Sequence, residues 1–400
     1  MARVEYVAAL EAGSSRSRYL IGALEHSRLR LIGAGISKAE GWFKGHIADQ
    51  RAVVSTFERA VREGEKSAGV SVPSAVIGMG GASIEGLNNR GLYEMGRPRV
   101  IHEEDASYAV RQALRVNMPA DRMILQMAPQ DFMVDGQTEF WNPQGATGSR
   151  LESFVHLVTT SCHEHNCLVN AVHQAHMAVD ETVFEPYAAA YAAVRREERA
   201  EGVAVIDIGA HSTGLVVYHG DALMASASLP VSGDHFTRDV AQGLCISCED
   251  AERLKLEYGC AMVGLTADNS TIEVPSPEGR PPREAPRLEL NRILEARAGE
   301  LFLYVRRELS KVRTDQGPLS SVVLVGAGAL LPGMWEMAER VLNCQARTGL
   351  AEGIVDWPEE FMSPAWTTAA GLLLYSARLR QRSGGKPDAP GLWDRLFGRD

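Results

Sequence analysis

The sequence predicts an α/β protein of two or more domains, and three observations support this fold class. The chain has 400 residues, which is more than one hydrophobic core usually covers. Short β-rich runs alternate with amphipathic helical segments along most of its length. Two strand–glycine turn–strand units, at 4–24 and 203–218, also suggest a duplicated architecture.

The composition excludes several classes of protein. The net charge of −10 provides no concentrated basic face, so no nucleic acid is expected as a partner. No apolar run approaches the roughly 20 residues of a membrane span. The start, MARVEYVAALEAG, lacks the pattern of a signal peptide. We therefore expect a cytoplasmic protein whose six cysteines are reduced thiols.

Two cysteine-containing segments have spacings that would suit a metal or redox site. They are Cys245–Cys248 and Cys162–Cys167, and the second also contains two histidines and a glutamate. The alternative is small buried thiols and polar histidines on helix faces. The sequence favours this alternative, because a lone cysteine pair is weak evidence for a metal.

In the first half of the chain, hydrophobic periodicity predicts where the strands and helices lie. Strands are predicted at 4–10, 19–24, 74–79 and within 123–160, and helices at 49–68, 103–117 and about 163–178. In the first helix, Val53, Phe57 and Val61 share one face, and Gly69 suits its end. The second helix begins with three carboxylates, which favour the positive end of a helix.

The second half continues the alternation. It contains a hairpin at 203–218, a helical stretch from 233 to about 256, a proline-rich exposed connection at 275–287, a helix at 288–312 and a buried strand at 321–326. That strand runs directly into Gly326-Ala327-Gly328. A flexible linker at 382–390 precedes the last ten residues.

Two glycine turns carry the residue types that hold a nucleotide phosphate. Glu11 and Asp207 each end a strand shortly before such a turn. Small residues allow backbone N–H groups to approach an anion, and a carboxylate can hold hydrated Mg²⁺. The donors in the first turn are Gly13, Ser14, Ser15 and Arg16, and those in the second are Gly209, Ser212 and Thr213. An ordinary hairpin is the alternative for each turn taken alone.

Several motifs together resemble the FtsA family, the bacterial cell-division branch of the actin and heat-shock chaperone superfamily. The resemblance runs nearly end to end and is specific only in combination. The matching stretches are 7–16 (VAALEAGSSR), 44–49 (KGHIAD), 129–137 (PQDFMVDGQ), 142–143 (NP), 150–152 (RLE), 185–190 (EPYAAA), 207–214 (DIGAHSTG), 233–237 (GDHFT), 254–255 (LK), 322–333 (VVLVGAGALLPG) and 363–371 (SPAWTTAAG).

This resemblance implies an actin-like two-domain ATPase fold with a family-specific inserted subdomain and a C-terminal amphipathic helix. The implied subdomains are 1A (1–84 and 163–198), the insert 1C (85–162), 2A (199–230 and 301–380), 2B (231–300), a linker (381–390) and the tail (391–400). The insert is implied to serve filament contacts between copies of the chain. Subdomain 2B is implied to contact the C-terminal tail of the tubulin-like ring protein FtsZ, and later division proteins are further partners.

The same resemblance implies a site for ATP and Mg²⁺ in the cleft between the domains. Catalytic roles would fall to Glu185, as the group that positions water, and to Asp207. Glu11 and Asp207 would lie near the metal. The implied nucleotide-binding residues are Glu11, Gly13, Ser14, Ser15, Arg16, Asp207, Gly209, Ser212, Thr213, Gly233, Asp234, Lys255, Gly326, Ala327 and Gly328.

The second turn departs from the family pattern D-x-G-G-G-T-T/M-D. Ala210 and His211 replace two glycines, and Gly214 replaces the second aspartate. If these positions need a positive φ, each Cβ costs about 1 kcal/mol or more. We therefore expect a strained turn, retained ATP binding and at most weak hydrolysis.

The tail predicts a membrane contact. Leu392, Trp393, Leu396 and Phe397 form one apolar helical face, with Arg395 among the polar residues facing away. A tail helix docked on its own domain or in a partner's groove is the alternative. The family's membrane-targeting helix favours a lipid bilayer.

The sequence therefore predicts a polymerising tether that holds the division ring to the cytoplasmic face of the membrane at the septum. Two other functions stay open within the superfamily. A pilus-assembly ATP-binding protein shares the fold and the insert but not the tail. A small-molecule kinase would need a further catalytic carboxylate, and no such motif is found.

Overall fold

The computed structural model describes residues 4–267, 269–276, 281–312 and 319–382. Two α/β domains face each other across a cleft, and a smaller subdomain is inserted into the first domain. The α/β fold class and the two strand–turn–strand units are confirmed. The predicted tail helix at 391–400 lies outside the described residues.

Domain 1 begins with a β-meander and a helix. Its first elements are β1 (Glu5–Glu11), β2 (Arg16–Glu25), β3 (Arg28–Lys38), β4 (Trp42–Phe43), β5 (His46–Ile47), α1 (Gln50–Ala68) and β6 (Ser74–Met79). The side chain of Asp49 caps α1 by accepting from the N–H groups of Arg51 and Ala52, and Gly69 ends it at a φ of 69°. This helix lies against β3 and β2.

The inserted subdomain and the return to domain 1 follow. The insert comprises β7 (Glu85–Val100), α2 (Glu103–Ala113), β8 (Arg122–Val134), β9 (Thr138–Phe140) and β10 (Thr147–Ser161); domain 1 resumes with α3 (Cys162–Gln174), β11 (Ala178–Phe184) and α4 (Glu185–Ala193). The domain 1 sheet has the order β11-β6-β1-β2-β3, with β6 and β11 parallel to β1.

Domain 2 repeats the meander and carries the remaining elements. They are α5 (Arg196–Glu201), β12 (Val203–Ile208), β13 (Thr213–His219), β14 (Ala222–Leu229), α6 (Gly233–Leu244), α7 (Cys248–Tyr258), β15 (Thr271–Val274), β16 (Arg283–Pro286), α8 (Arg287–Leu309), β17 (Ser321–Val325), α9 (Met334–Leu342), β18 (Gln345–Thr348) and α10 (Thr367–Arg382). Helix α10 returns to domain 1 and packs on α4 and β1. Helices α4 and α10 therefore cross, and α4 begins at Glu185, which lines the cleft.

The insert joins domain 2 as well as domain 1. A nine-stranded sheet runs in the order β18-β17-β12-β13-β14-β7-β10-β8-β9, so β14 of domain 2 neighbours β7 of the insert. The strand pairing is a single bridge, Ala227 to Glu85. Two side-chain contacts reinforce it, since the buried His156 Nε2 lies 2.7 Å from Ser226 Oγ and the exposed Asn88 Nδ2 donates to the Met224 carbonyl at 3.1 Å.

Several predicted bounds are wrong. The second helix ends at Ala113 rather than 117, and α3 ends at Gln174 because β11 already begins at Ala178. The stretch 233–256 divides into two helices at Cys245, which adopts a φ of 56°. Part of the predicted proline-rich connection pairs as β15–β16.

Candidate functional site

The cleft between the domains is a cavity of about 1100 Å³. Four chain segments meet there, and each ends or begins a regular element. They are the β1–β2 turn, the β12–β13 turn, the start of α6 with the facing side of α7, and the turn 326–328 after β17. All of the predicted nucleotide and catalytic residues line this cavity except Thr213, which is fully buried in β13.

The β1–β2 turn needs glycine and positions a buried ion pair. A Cβ added at Gly13 would overlap the Arg16 carbonyl oxygen, so the turn closes only with glycine there. The guanidinium of Arg18 donates to both Glu11 carboxylate oxygens at 2.8 Å and lies over the Trp366 ring. Arg16 lines the cavity but is exposed, so the arginine that holds Glu11 is Arg18.

The β12–β13 turn is not strained, contrary to the expectation from its sequence. Neither Ala210 nor His211 has a positive φ, so their Cβ atoms do not carry the expected backbone cost. The turn is closed by the Gly209 N–H donating to the Ser212 carbonyl at 2.9 Å. Its carbonyls at Gly209 and Ala210 accept from the first N–H groups of α6, which fixes the turn against domain 2.

His211 forms a link that sequence reasoning did not foresee. Its Nε2 lies 3.0 Å from Asp234 Oδ2 at the start of α6. Although burial raises the pKa of Asp234, its hydrogen bond with His211 leaves that pKa below the usual value. This contact therefore holds in place a carboxylate that lines the cavity.

The two turns present a set of backbone donors. Within the described part of the chain, no protein acceptor is found for the N–H groups of Ser14, Ser15, Ala210 and His211. All four residues line the cavity. Backbone N–H groups left without partners in a concave turn form an anion site, and phosphate is the anion that suits two facing turns.

Three carboxyl groups converge at the base of the cleft. Burial raises the pKa of Glu11, an effect that Arg18 partly offsets, and burial raises the pKa of Asp207 to about 6. The pKa of Glu185 lies well above its usual value because of burial and the neighbouring charges of Asp207 and Glu11. One guanidinium faces three acids, so this site has an excess of negative charge that a cation would relieve.

Glycine makes room for Glu185, and a threonine orients Asp207. A Cβ at Gly80 would lie 2.5 Å from Glu185 Oε2, so β6 can end beside this carboxylate only without a side chain. The Thr368 hydroxyl donates to Asp207 Oδ2 at 2.7 Å. A Cβ at Gly326, whose φ is 80°, would overlap Asp207 Oδ1.

The carboxylates fit hydrated Mg²⁺ better than a directly held metal. Among the described residues, no group of three or more His, Cys, Asp or Glu side chains has a geometry that would hold a metal ion. Mg²⁺ needs only one or two carboxylates, because it keeps several waters and also binds substrate phosphates. Glu11 and Asp207 suit that role, because both have raised pKa values and both lie beside the glycine turns that could hold a phosphate.

The other end of the cavity lies in domain 2. Lys255 Nζ donates to Thr237 Oγ1 at 2.8 Å and to the Gly233 carbonyl at 3.3 Å, joining α7 to α6. A Cβ at Gly328 would overlap the Ile208 side chain, so the 326–328 turn lies directly on β12.

Sequence reasoning missed Arg18, Thr368 and Thr237. Arg18 had a visible signal, since an arginine next to the apolar run of a buried strand needs an acidic partner. Thr368 had no such signal, because 161 residues separate it from Asp207.

The predicted membrane residues Leu392, Trp393, Arg395, Leu396 and Phe397 lie outside the described residues. No helix in the described ranges is long and apolar enough to cross a bilayer.

Comparisons with known families match two parts of the chain. The model described as "Cell division protein FtsA" matches residues 204–371, and "SHS2 domain inserted in FTSA" matches residues 81–159. The cell division protein FtsA of Pseudomonas aeruginosa is 30% identical over 380 residues, covering 95% of this chain and 90% of that protein. The Escherichia coli relative is 31% identical over 379 residues, covering 92% and 90%.

Solved structures show the fold. The PilM-PilN type IV pilus biogenesis complex matches with a TM-score of 0.67 and 18% identity, covering 93% of this chain and 98% of that one. MreB5 of Spiroplasma citri bound to ADP matches with a TM-score of 0.57 and 14% identity, covering 96% and 99%. The predicted two-domain actin-like architecture is thereby confirmed.

Proposed function

The chain belongs to the FtsA family of cell-division proteins, and we propose that it binds Mg-ATP, polymerises and tethers the FtsZ ring to the cytoplasmic face of the membrane. One observation carries the nucleotide part of this proposal. Two glycine turns from different domains face one cavity with backbone N–H groups that have no acceptor within the described residues. A polyphosphate is the ligand that such a pair of turns would hold.

The carboxylates define the chemistry of the site. Mg²⁺ bound through Glu11 and Asp207 would supply the positive charge that a triphosphate and three acids require. Glu185 is held by its buried surroundings where it would orient a water. The activity that we propose is at most a slow ATPase, in which nucleotide binding controls assembly.

The membrane part follows from the tail. The four apolar side chains of residues 391–400, if fully buried, would give roughly 6–12 kcal/mol, but interfacial burial is partial and the tail loses entropy. One tail therefore binds weakly, whereas many tails on one filament bind together through effective concentration. Polymerisation by an actin-like body and membrane attachment by the tail support each other physically.

A calorimetric titration with Mg-ATP tests the nucleotide part. Gly326→Ala places a Cβ onto Asp207 Oδ1 at a position with a positive φ, so we expect it to abolish binding. Gly264→Ala is the matched control, because a Cβ there meets nothing within 4 Å. Equal ATP affinity in all three proteins would refute a nucleotide site in the cleft.

Vesicle co-sedimentation tests the tail. Leu396→Glu should detach the protein from lipid, whereas Arg399→Gln on the polar side should leave it attached. If both variants pellet as the unmodified chain does, the tail is not the anchor. Contact of subdomain 2B with the FtsZ tail is tested in the same assay by recruitment of FtsZ to protein-coated vesicles.

A further inference from the structure

The domain 1 rim of the cleft carries two basic side chains, Arg16 and Lys38. Both residues line the cavity and both are exposed. Arg16 begins β2 and Lys38 ends β3, and the antiparallel register places them directly opposite each other. The Cβ atoms of such a pair are about 4.5–5.5 Å apart. Two positive charges are therefore held side by side where the cavity meets solvent.

The alternation of the strands directs both side chains to the face of the sheet that carries the buried ion pair. Residues two apart on a strand point to the same side, so Arg16 shares a face with Arg18, which donates to Glu11. Ser17 lies between the two arginines in sequence and does not line the cavity. Lys38 is the cross-strand partner of Arg16 and lies on the same face. The two rim cations are therefore one residue pair further out than the ion pair at the base of the cleft.

Neither rim cation has an acidic partner. In the part of the chain that the structure describes, no ion pair joins Arg16 or Lys38 to a carboxylate. Two acids of domain 1 that line the same cavity are engaged elsewhere, since Glu11 is held by the buried guanidinium and Glu164 lies 2.8 Å from His46 Nδ1. Like charges directly opposite each other destabilise a pair of strands. An anion bound between the two cations would remove this cost.

We propose that Arg16 and Lys38 clamp the terminal phosphate of a nucleoside triphosphate, so that the cleft binds ATP more tightly than ADP. The inference rests on the proposed nucleotide site. The other donors of the site are backbone N–H groups fixed in the two turns, which suit phosphates lying between the domains. Long side chains at the rim can reach a further phosphate that projects beyond the turns. Guanidinium and ammonium groups are the side chains that proteins use to bind phosphate.

The exposed position of the pair limits the size of the effect. A hydrogen bond to a charged group is worth about ten- to hundredfold in affinity when it is well shielded, and less at an exposed site. Ordering a lysine side chain on the ligand also costs conformational entropy. We therefore expect each cation to contribute about tenfold to the preference for a triphosphate over a diphosphate.

Calorimetric titration of the full chain with Mg-AMP-PNP and with Mg-ADP tests the clamp, because AMP-PNP keeps the third phosphate and is not hydrolysed. Lys38→Met removes the charge and keeps an unbranched side chain. We expect its affinity for AMP-PNP to fall about tenfold and its affinity for ADP to change by less than about twofold. Lys38→Arg retains the charge and should keep most of the preference. Lys66→Met is the matched control, since Lys66 is exposed in the last turn of α1 and lies outside the cavity, and it should change neither affinity.

Urea unfolding separates a binding effect from a folding defect. Because Lys38→Met removes one member of a like-charged pair, the nucleotide-free variant should be at least as stable as the unmodified protein. A variant that is less stable than the unmodified protein would contradict the absence of an acidic partner on which the inference depends.

The remaining outcomes reject different statements. An unchanged ratio of the two affinities in Lys38→Met would overturn the clamp, and binding of both nucleotides by that variant would still support the site. An equal loss of both affinities would show that Lys38 binds a phosphate common to the two nucleotides. Unchanged affinities with weaker polymerisation would assign the pair to a contact with a second copy and overturn the clamp. Failure of the unmodified chain to bind either nucleotide would reject the nucleotide site itself.

Discussion

Replacing Asp207 by asparagine should stabilise the nucleotide-free protein and remove its response to Mg-ATP. Burial raises the pKa of this carboxyl from 3.8 to about 6, so the native state holds its proton more tightly than the unfolded state does. Two units correspond to about 3 kcal/mol of destabilisation by the ionised form at pH 7. Because the carboxylate still meets water in the cleft, we expect a gain of about 1–2 kcal/mol. Asparagine retains an oxygen that can accept from the Thr368 hydroxyl.

The sign of the pH dependence follows from the same values. Between pH 3.8 and about 6 the native protein binds more protons at this site than the unfolded chain, so this group lowers stability as pH rises through that window. The advantage of Asp207→Asn should therefore be absent below pH 4, grow through the window and be complete at pH 7.

Urea unfolding with and without Mg-ATP measures both effects. The unmodified protein should gain stability from saturating Mg-ATP, and Asp207→Asn should gain little. Asp221→Asn, an exposed carboxylate on the β13–β14 turn, is the control and should change neither quantity. A nucleotide-free Asp207→Asn protein that is less stable than its parent at pH 7, or one that keeps the full Mg-ATP shift, would refute this reasoning.

Two further predictions concern stability. Gly371→Ala should lower the free energy of unfolding, measured in urea, by about 1–3 kcal/mol, because its Cβ would overlap the Ala188 carbonyl where α10 crosses α4. Gly299→Ala has open space around its Cβ in the middle of α8, so it should instead raise the free energy of unfolding by roughly 0.5–1 kcal/mol. An equal effect of the two changes would contradict the close helix crossing. Burial lowers the pKa of His156 to about 4, so the native state binds fewer protons than the unfolded chain between pH 6.5 and 4 and stability should fall as pH drops through that window. His156→Gln should show a shallower fall in the same measurement, and an unchanged slope would show that His156 is not the group responsible.

The parts of the fold set by local pattern were predictable. The amphipathic stripe of α1, with Asp49 and Gly69 at its ends, determines that helix almost without tertiary help. The two strand–glycine turn–strand units also follow from alternation and turn residues. The division of 233–256 at Cys245 was not predictable, because a left-handed cysteine between two helices has no strong signal in one sequence.

The candidate site was predictable where it is continuous in sequence and unpredictable where it is assembled across the chain. Turn residues such as Gly13 and Gly209 indicate, from the local sequence alone, that backbone segments approach each other closely at the turn. Thr368 at the start of α10 reaches Asp207 of β12 across 161 residues of intervening sequence, which no local pattern reveals. The expected strain at His211 was wrong for a related reason, since its φ depends on how the turn docks against α6 and not on residue type alone.

The most direct test of the tether is the residence time of single labelled molecules on a supported acidic bilayer, measured against surface density with Mg-ATP present. If assembly strengthens the weak membrane binding of single tails, the residence time should be short for isolated molecules and should lengthen steeply as the surface density rises. Gly326→Ala should abolish this lengthening. A long residence that is the same at every density, with or without nucleotide, would contradict the account.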